Sequence, residues 1–424
     1  MMKKIAAIFF LTGTVLFAGE ITLEEAIARA LKHSREVQIA EKKFLSSKIK
    51  SKQAIKKALP SLVYLGSYQQ SEYERMQAKN RTEKQGEKIG YRQSVTLTQP
   101  LFQGGSIVAE IQGAKYYESL FEIEYLQKKI ETRLKTIQIY SHIIRAKKEL
   151  EALRYSKKQL EQRYEKQKVQ LELQLITRTD LLKTEYHLLS VESQMEKAKN
   201  EIEVQTENLK IQMGLFKDEK IEIQEFFVPK QCSAKIDFDK DRKQAMETSM
   251  SVLSAKYRLE IAKAEQRGRA GEMLPEINLF ASYENVGERR TFNQSRKDME
   301  WIGGVEVRWK LFSFGREYDS YKVATLEKET QELSQEKIQD SLRLKLREAY
   351  LDLCRLEILR DSKTKALETA ELNFQMEQEK YDAGLISVVD YLDSEKQLRE
   401  AKVSYYQTEL EYYYAFEYYQ SLLV

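Results

Sequence analysis

The feature that most restricts the fold of this chain is that it is written twice. Leu101, Phe102 and Gly105 recur as Leu311, Phe312 and Gly315; Arg133, Leu134 and Lys135 as Arg343, Leu344 and Lys345; Tyr140 and Arg145 as Tyr350 and Arg355; Leu175, Ile176 and Asp180 as Leu385, Ile386 and Asp390. Each pair is 210 positions apart, and a spacing held this long means that insertions are not tolerated, as in paired helices that must keep equal length. Upstream the offset is 215, with Ala30, Ser34, Val37, Ala40 and Leu59-Pro60 matching Ala245, Ser249, Val252, Ala255 and Leu274-Pro275. The difference falls between Pro60 and Leu101, where loops absorb changes of length.

Within each copy the pattern predicts a helix, a strand pair and a long helical hairpin. The chain has only 4 Pro and 16 Gly in 424 residues, and 32% of it is charged, as in long amphipathic helices rather than one thick core. From Ser106 to about Gln170 there is no Pro and only Gly113, which predicts a nearly continuous helix about 100 Å long at 1.5 Å per residue. Its counterpart runs from Arg316 to about Tyr381. Each then meets a repeated phrase, LITRTDLLKTE from Leu175 and LISVVDYLDSE from Leu385. In both, Thr177 or Ser387 stands three residues before Asp180 or Asp390, the spacing of a capping box that starts a returning helix. The first turn has Leu171-Glu172-Leu173-Gln174 where the second has Tyr381-Asp382-Ala383-Gly384; without a glycine it is expected to lack a left-handed helix end.

Between the helices the period changes to two. Trp301, Gly303, Val305, Val307, Trp309 and Leu311 alternate with Glu306, Arg308 and Lys310, and Ile277, Leu279, Ala281 and Tyr283 alternate with Glu276, Asn278, Ser282 and Glu284, with Phe280 breaking the polar side. Around Leu62–Tyr68 and Tyr91–Leu101 the alternation is too weak to assign faces. No second sheet in the chain can cover the apolar face, whereas a closed barrel can turn such a face to lipid. Strands of about 9–11 residues with apolar-out alternation suit an outer-membrane barrel. Four strands cannot enclose a pore, so the chain is expected to oligomerise. The lipid-facing candidates are Ile277, Leu279, Trp301, Val305, Val307 and Trp309.

The N-terminus reads as a secretory signal peptide: Lys3 and Lys4, the apolar run Ile5–Leu11, then small residues around Ala18 and Gly19. The expected division is a signal peptide at 1–18; a first repeat at 19–214 with strands near 61–72 and 91–101; a linker at 215–240; and a second repeat at 241–424 with strands near 276–284 and 300–312. Two cysteines, Cys232 and Cys354, make no disulfide scaffold. His33, His142 and His187 form no metal-ligand or catalytic motif, and no nucleophile elbow or phosphate loop is present. No catalytic residue, metal site or cofactor is therefore expected. The near-balance of 70 basic and 66 acidic residues gives no reason to invoke nucleic acid. The tyrosine-rich tail from Tyr405 to Tyr419 is expected to pack against neighbouring helices.

The tandem copies, the signal peptide, the strand pairs bounded by LP and LF, and the YDAGLISVVDYLD turn resemble the TolC-type outer-membrane efflux proteins. That resemblance implies a mainly α fold with a small β part: long helical hairpins forming a trimeric tunnel through the periplasm, and four strands per chain contributing to a shared 12-stranded transmembrane barrel in the cell outer membrane. It implies a passive, non-enzymatic exit duct of a tripartite efflux or type I secretion system. The implied partners are two further copies in a homotrimer, a periplasmic adaptor of the membrane fusion type, an inner-membrane pump of the RND or ABC type, and outer-membrane lipid. It also implies a periplasmic gate constriction at Asp390 and Asp393 and a gate latch involving Asp180 and Tyr381, with Ile386 where the family has a latch arginine. Read from spacing alone, Asp390 is a helix cap and Asp393 a solvated charge. The alternative function is a soluble periplasmic helical-hairpin adaptor or scaffold, which would need one hairpin inside a β-rich body.

Overall fold

The computed structural model describes residues 20–75, 84–215, 219, 221–226, 236–287 and 299–424. The expected signal peptide and Cys232 lie outside them. Elements of matching length follow from the constant offsets. Helices α1 (Leu23–His33) and α5 (Phe238–Thr248) have 11 residues each, α2 (Arg35–Lys56) and α6 (Met250–Gly271) have 22 each, and α3 (Ser106–Glu172) and α7 (Arg316–Asp382) have 67 each. The returning helices α4 (Arg178–Met213) and α8 (Val388–Leu422) have 36 and 35. Even the break between the first two helices of each copy is repeated: Ser34 and Ser249 are both buried and take φ, ψ of −58°, 130° and −57°, 132°.

The chain forms two compact units, and each draws on both copies. One contains Met1–Ile39, Gln127–Ala245 and Arg343–Val424; the other contains Ala40–Leu126 and Met246–Leu342. In the first, Ala26, Ile27 and Ala30 of α1 pack with Ile137 and Tyr140 of α3 and Leu209 of α4. Tyr140 is fully buried, and its hydroxyl lies between the carbonyl oxygens of Ile21, at 2.8 Å, and Gln224. It thereby ties together the short parallel strands β1 (Glu20–Ile21) and β4 (Glu222–Ile223). Burial pushes its pKa well above the usual tyrosine value. Tyr412 and Tyr419 of the tail are fully buried, and the Tyr419 hydroxyl donates to Asp241 at 2.9 Å, so these aromatics pack as expected.

The second unit carries an antiparallel sheet in the order β2 (Ser61–Arg75), β3 (Lys84–Gln103), β5 (Glu276–Gly287), β6 (Met299–Arg308). The central β3–β5 ladder joins the two copies. Three strands run beyond the expected limits, because hairpin pairing continues into the polar stretches. The fourth is shorter: β6 stops at Arg308 rather than 312. Arg308 pairs with Glu276, the first residue of β5 after Pro275, and a proline offers no N–H to extend the ladder. Trp309 therefore lies one residue past the strand.

Candidate functional site

The register assigns the faces that the sequence left open. Residues directly opposite one another share a face. One face carries the rows Tyr64–Val95–Tyr283–Trp301, Leu62–Leu97–Ala281–Gly303 and Ile277–Val307, with Leu279 opposite Val305. The other carries Thr96–Ser282 and Ser94–Glu284–Glu300. Burial is reversed from that of a water-soluble sheet: Trp301 is 77% exposed and Val307 62%, while Ser282 is 4% exposed and Ser94 6%. On the polar face Thr96 and Ser282 share a hydrogen bond of 2.9 Å, and Gln103 donates to Asn278 at 2.8 Å. Phe280, which shares that face with Val63, Leu65 and Ile302, lies over Gly304 of the neighbouring strand, which leaves its ring room. No helix among the described residues is long and apolar enough to cross a membrane.

In the first unit the two helical turns are built alike. Thr177 and Ser387 each accept from the backbone N–H of Asp180 and Asp390, whose carboxylates accept in return from the cap residue's backbone N–H and hydroxyl. The hydroxyl bond holds each carboxyl below the usual aspartate range. Each cap's electrostatic contribution is therefore present at neutral pH and is lost as pH falls through the lowered folded-state value.

The expectation for the first helix end is corrected. Gln174 takes a left-handed φ of 60°, beside 71° for Gly384, and both turns close with the same two backbone bonds: Gln174 N–H to Leu171 and Leu175 N–H to Gln170, as Gly384 N–H to Tyr381 and Leu385 N–H to Lys380. Closing the paired carbonyls outweighs the cost of a side chain there, about 1 kcal/mol. Gln174→Gly is accordingly expected to stabilise the first turn by up to about 1 kcal/mol, and Gly384→Ala to destabilise the second by about as much, measured as amide exchange across each turn.

Asp390 and Asp393 are both exposed on α8, and Asp393 lies near enough to His187 of α4 to pull its pKa upward against the stronger downward effect of burial. Asp180 and Tyr381 are not joined: Asp180 bonds Thr177 and pairs with Lys183 at 3.7 Å, whereas Tyr381 accepts from Gln167 at 3.1 Å. The residue that does organise Tyr381 was missed from sequence. Arg163 of α3, with a side chain 10% exposed, lies over the rings of Tyr381 at 4.2 Å and Tyr391 at 4.5 Å and pairs with Asp382 at 3.1 Å. It thus joins the first hairpin to both arms of the second. A sequence signal existed: the 210 offset puts Asn373 opposite Arg163 and Glu377 opposite Gln167, so this pair breaks the repeat near the turn.

The model of the outer membrane efflux protein family matches residues 26–215 and 242–419. Among solved structures, the CmeC outer membrane channel of Campylobacter jejuni is 16% identical over 95% of this chain and 85% of its own, with a TM-score of 0.82. A membrane protein from Pseudomonas aeruginosa is 14% identical over 95% and 90%, also at 0.82. The outer membrane protein VceC of Vibrio cholerae is 15% identical over 94% and 95%, at 0.80. Among curated proteins, none is similar enough in sequence to count as a relative. Channels of this family act as trimers with adaptor and inner-membrane pump partners. The two-copy layout, the reversed sheet and the family match converge: the chain belongs to the outer membrane efflux protein family, and is a passive outer-membrane exit duct with periplasmic helices rather than an enzyme.

Proposed function

We propose that three copies of this chain, exported by removal of residues 1–18, close one twelve-stranded barrel, with Ile277, Leu279, Trp301, Val305 and Val307 facing lipid and Trp309 at its edge. The observation that carries this is the sheet itself. Among the described residues β2 and β6 are each bonded on one side only, and a long unpaired strand edge beside an exposed apolar face demands another chain. The repeats at 19–214 and 241–424 then supply equivalent hairpins to a tunnel, with the 215–240 linker between them. Beyond the tunnel the duct would meet a membrane-fusion adaptor and an RND or ABC pump. The test is direct: the protein extracted in detergent should size as a trimer and conduct across a planar bilayer, and a monomer without conductance would end the proposal. Val305→Arg, placing a charge mid-strand on the lipid face, is expected to destabilise the reconstituted barrel by about 2–4 kcal/mol in denaturant titration.

At the tip, the proposed constriction is a ring of six carboxylates from Asp390 and Asp393 of three copies, preferring cations. Asp180 and Tyr381 remain the latch candidates between copies. Within a copy, Arg163 supplies the cation that Ile386 cannot, through the Tyr381 ring and Asp382.

A further inference from the structure

Between α3, α7 and α8 of the first unit lies an open groove of about 710 Å³ that the two-copy layout does not account for. Its two long walls stand at matching heights. Gln138, His142 and Arg145 of α3 line the same space as their equivalents 210 positions on, Glu348, Asp352 and Arg355 of α7. The room and the charge come from departures from the repeat. Ser141 stands where the second copy has Leu351, and Ala349 where the first has Ile139, so each wall gives up a bulky side chain. Tyr414 and Tyr418, on the α8 floor, stand where α4 has Val204 and Asn208, and Glu348 stands where α3 has Gln138. Each difference adds space, aromatic surface or negative charge to one place.

The charges that line the groove do not cancel. Arg145 is engaged by Glu201 and, at 3.7 Å, by Glu149, and Arg355 by Asp352 through two bonds of 2.8 and 3.0 Å. Glu411 accepts from the neutral Gln407 at 2.7 Å, and no cation pairs with Glu348 or Glu411 among the described residues. Two carboxylates are thus left over beside the rings of Tyr414 and Tyr418, which lie parallel within 8° with centroids 6.5 Å apart. A cleft lined by one sign of charge concentrates the opposite sign, and tyrosine faces attract cations. Both guanidiniums are already held, so an anion finds no free partner of that kind. In the wall, Ser141 is 9% exposed, and its buried hydroxyl oxygen has no hydrogen-bond partner among the described residues. Buried polar groups are ordinarily paired, so this one marks a place where a bound molecule or its water supplies the partner. The volume is that of a site for a small organic molecule.

We propose that this groove binds a flat organic cation, with its ring system against Tyr414 and Tyr418 and its positive charge toward Glu348 and Glu411. Every wall residue belongs to one chain, so the site and the trimer can each fail without the other. The probe is ethidium, whose fluorescence rises when it leaves water, titrated into the full protein extracted in an uncharged detergent. Saturable binding is expected. It should weaken at least about tenfold in Glu348→Gln with Glu411→Gln, which removes the two uncompensated charges. It should be lost in Ser141→Leu with Ala349→Ile, which puts the other copy's side chains into the groove. If the filled variant does not assemble, the glutamine pair decides, since both positions are exposed. Binding undiminished by the glutamines would overturn the proposal. So would a rise in fluorescence equal in all versions, which would mean dye taken up by the micelle. Displacement of ethidium by the anionic dye anilinonaphthalene sulfonate as readily as by the cation tetraphenylphosphonium would mean a groove indifferent to charge, and would overturn it as well. No binding by protein that sizes as a trimer would mean that a second copy covers the groove, which also ends the proposal. Variant-sensitive binding by protein that sizes as a monomer would support the groove while ending the trimer.

Discussion

Arg163→Ala is expected to loosen the helical tip more than any other single change in the first unit. The guanidinium lies over two tyrosine rings and pairs with Asp382, with its side chain 10% exposed, so truncation removes two cation–π contacts and leaves the carboxylate without its cation. At about 0.5–2 kcal/mol for each ring contact plus the pair, the loss is about 3 kcal/mol. That corresponds to roughly a hundredfold loss of amide protection, confined to the stretch from Phe374 to Leu392. Because Arg163 ties the first hairpin to both arms of the second, the same variant should raise single-channel conductance. Arg163→Lys keeps the charge but not the planar fork and stacking surface, and should fall between. Lost protection without a change of conductance would mean that Arg163 is structural and does not hold the gate.

Asp390→Asn together with Asp393→Asn is expected to weaken block by multivalent cations at least about tenfold, since in the proposed trimer six carboxylates would be lost from the proposed constriction. Asparagine is the informative replacement, because its amide oxygen can still accept from Ser387, whose backbone N–H reaches Asp390 at 3.2 Å, and the helix start is kept. Stability should change little while block falls. In the unaltered channel, the share of block due to Asp390 should be lost only as pH falls below the usual aspartate range, because the Ser387 hydroxyl holds its pKa down. Unchanged block in the double variant would remove both residues from the constriction, and the capping box would then be their whole role.

The long hairpins were legible because helix length is a local property: a stretch without breakers propagates until a cap stops it, and Ser106–Glu172 ends where the Thr177 box begins. The turn at Gln174 was misread because side-chain preference is a weaker force than two closing backbone bonds. The ends of the strands were misplaced for a related reason. β6 stops where β5 starts, at Glu276, and a partner's length is invisible in the strand's own residues. Faces of β2 and β3 stayed unassigned for the same cause: Leu62, Val63, Tyr64 and Leu65 are all apolar and more than half exposed, so only pairing with Leu97 and Val95 puts Leu62 and Tyr64 in the outward rows.

By itself the sequence determined the duplication, the helix lengths, the two capping boxes and the apolar alternation that calls for lipid, all of which depend on residues near one another along the chain. Tertiary structure alone decided that copies interleave in each compact unit, that Ser282 is buried while Trp301 is bare, and that Arg163 meets Tyr381, 218 positions later. Those outcomes depend on which distant surfaces meet, and a contact between side chains so far apart in the chain leaves no periodic trace in either segment.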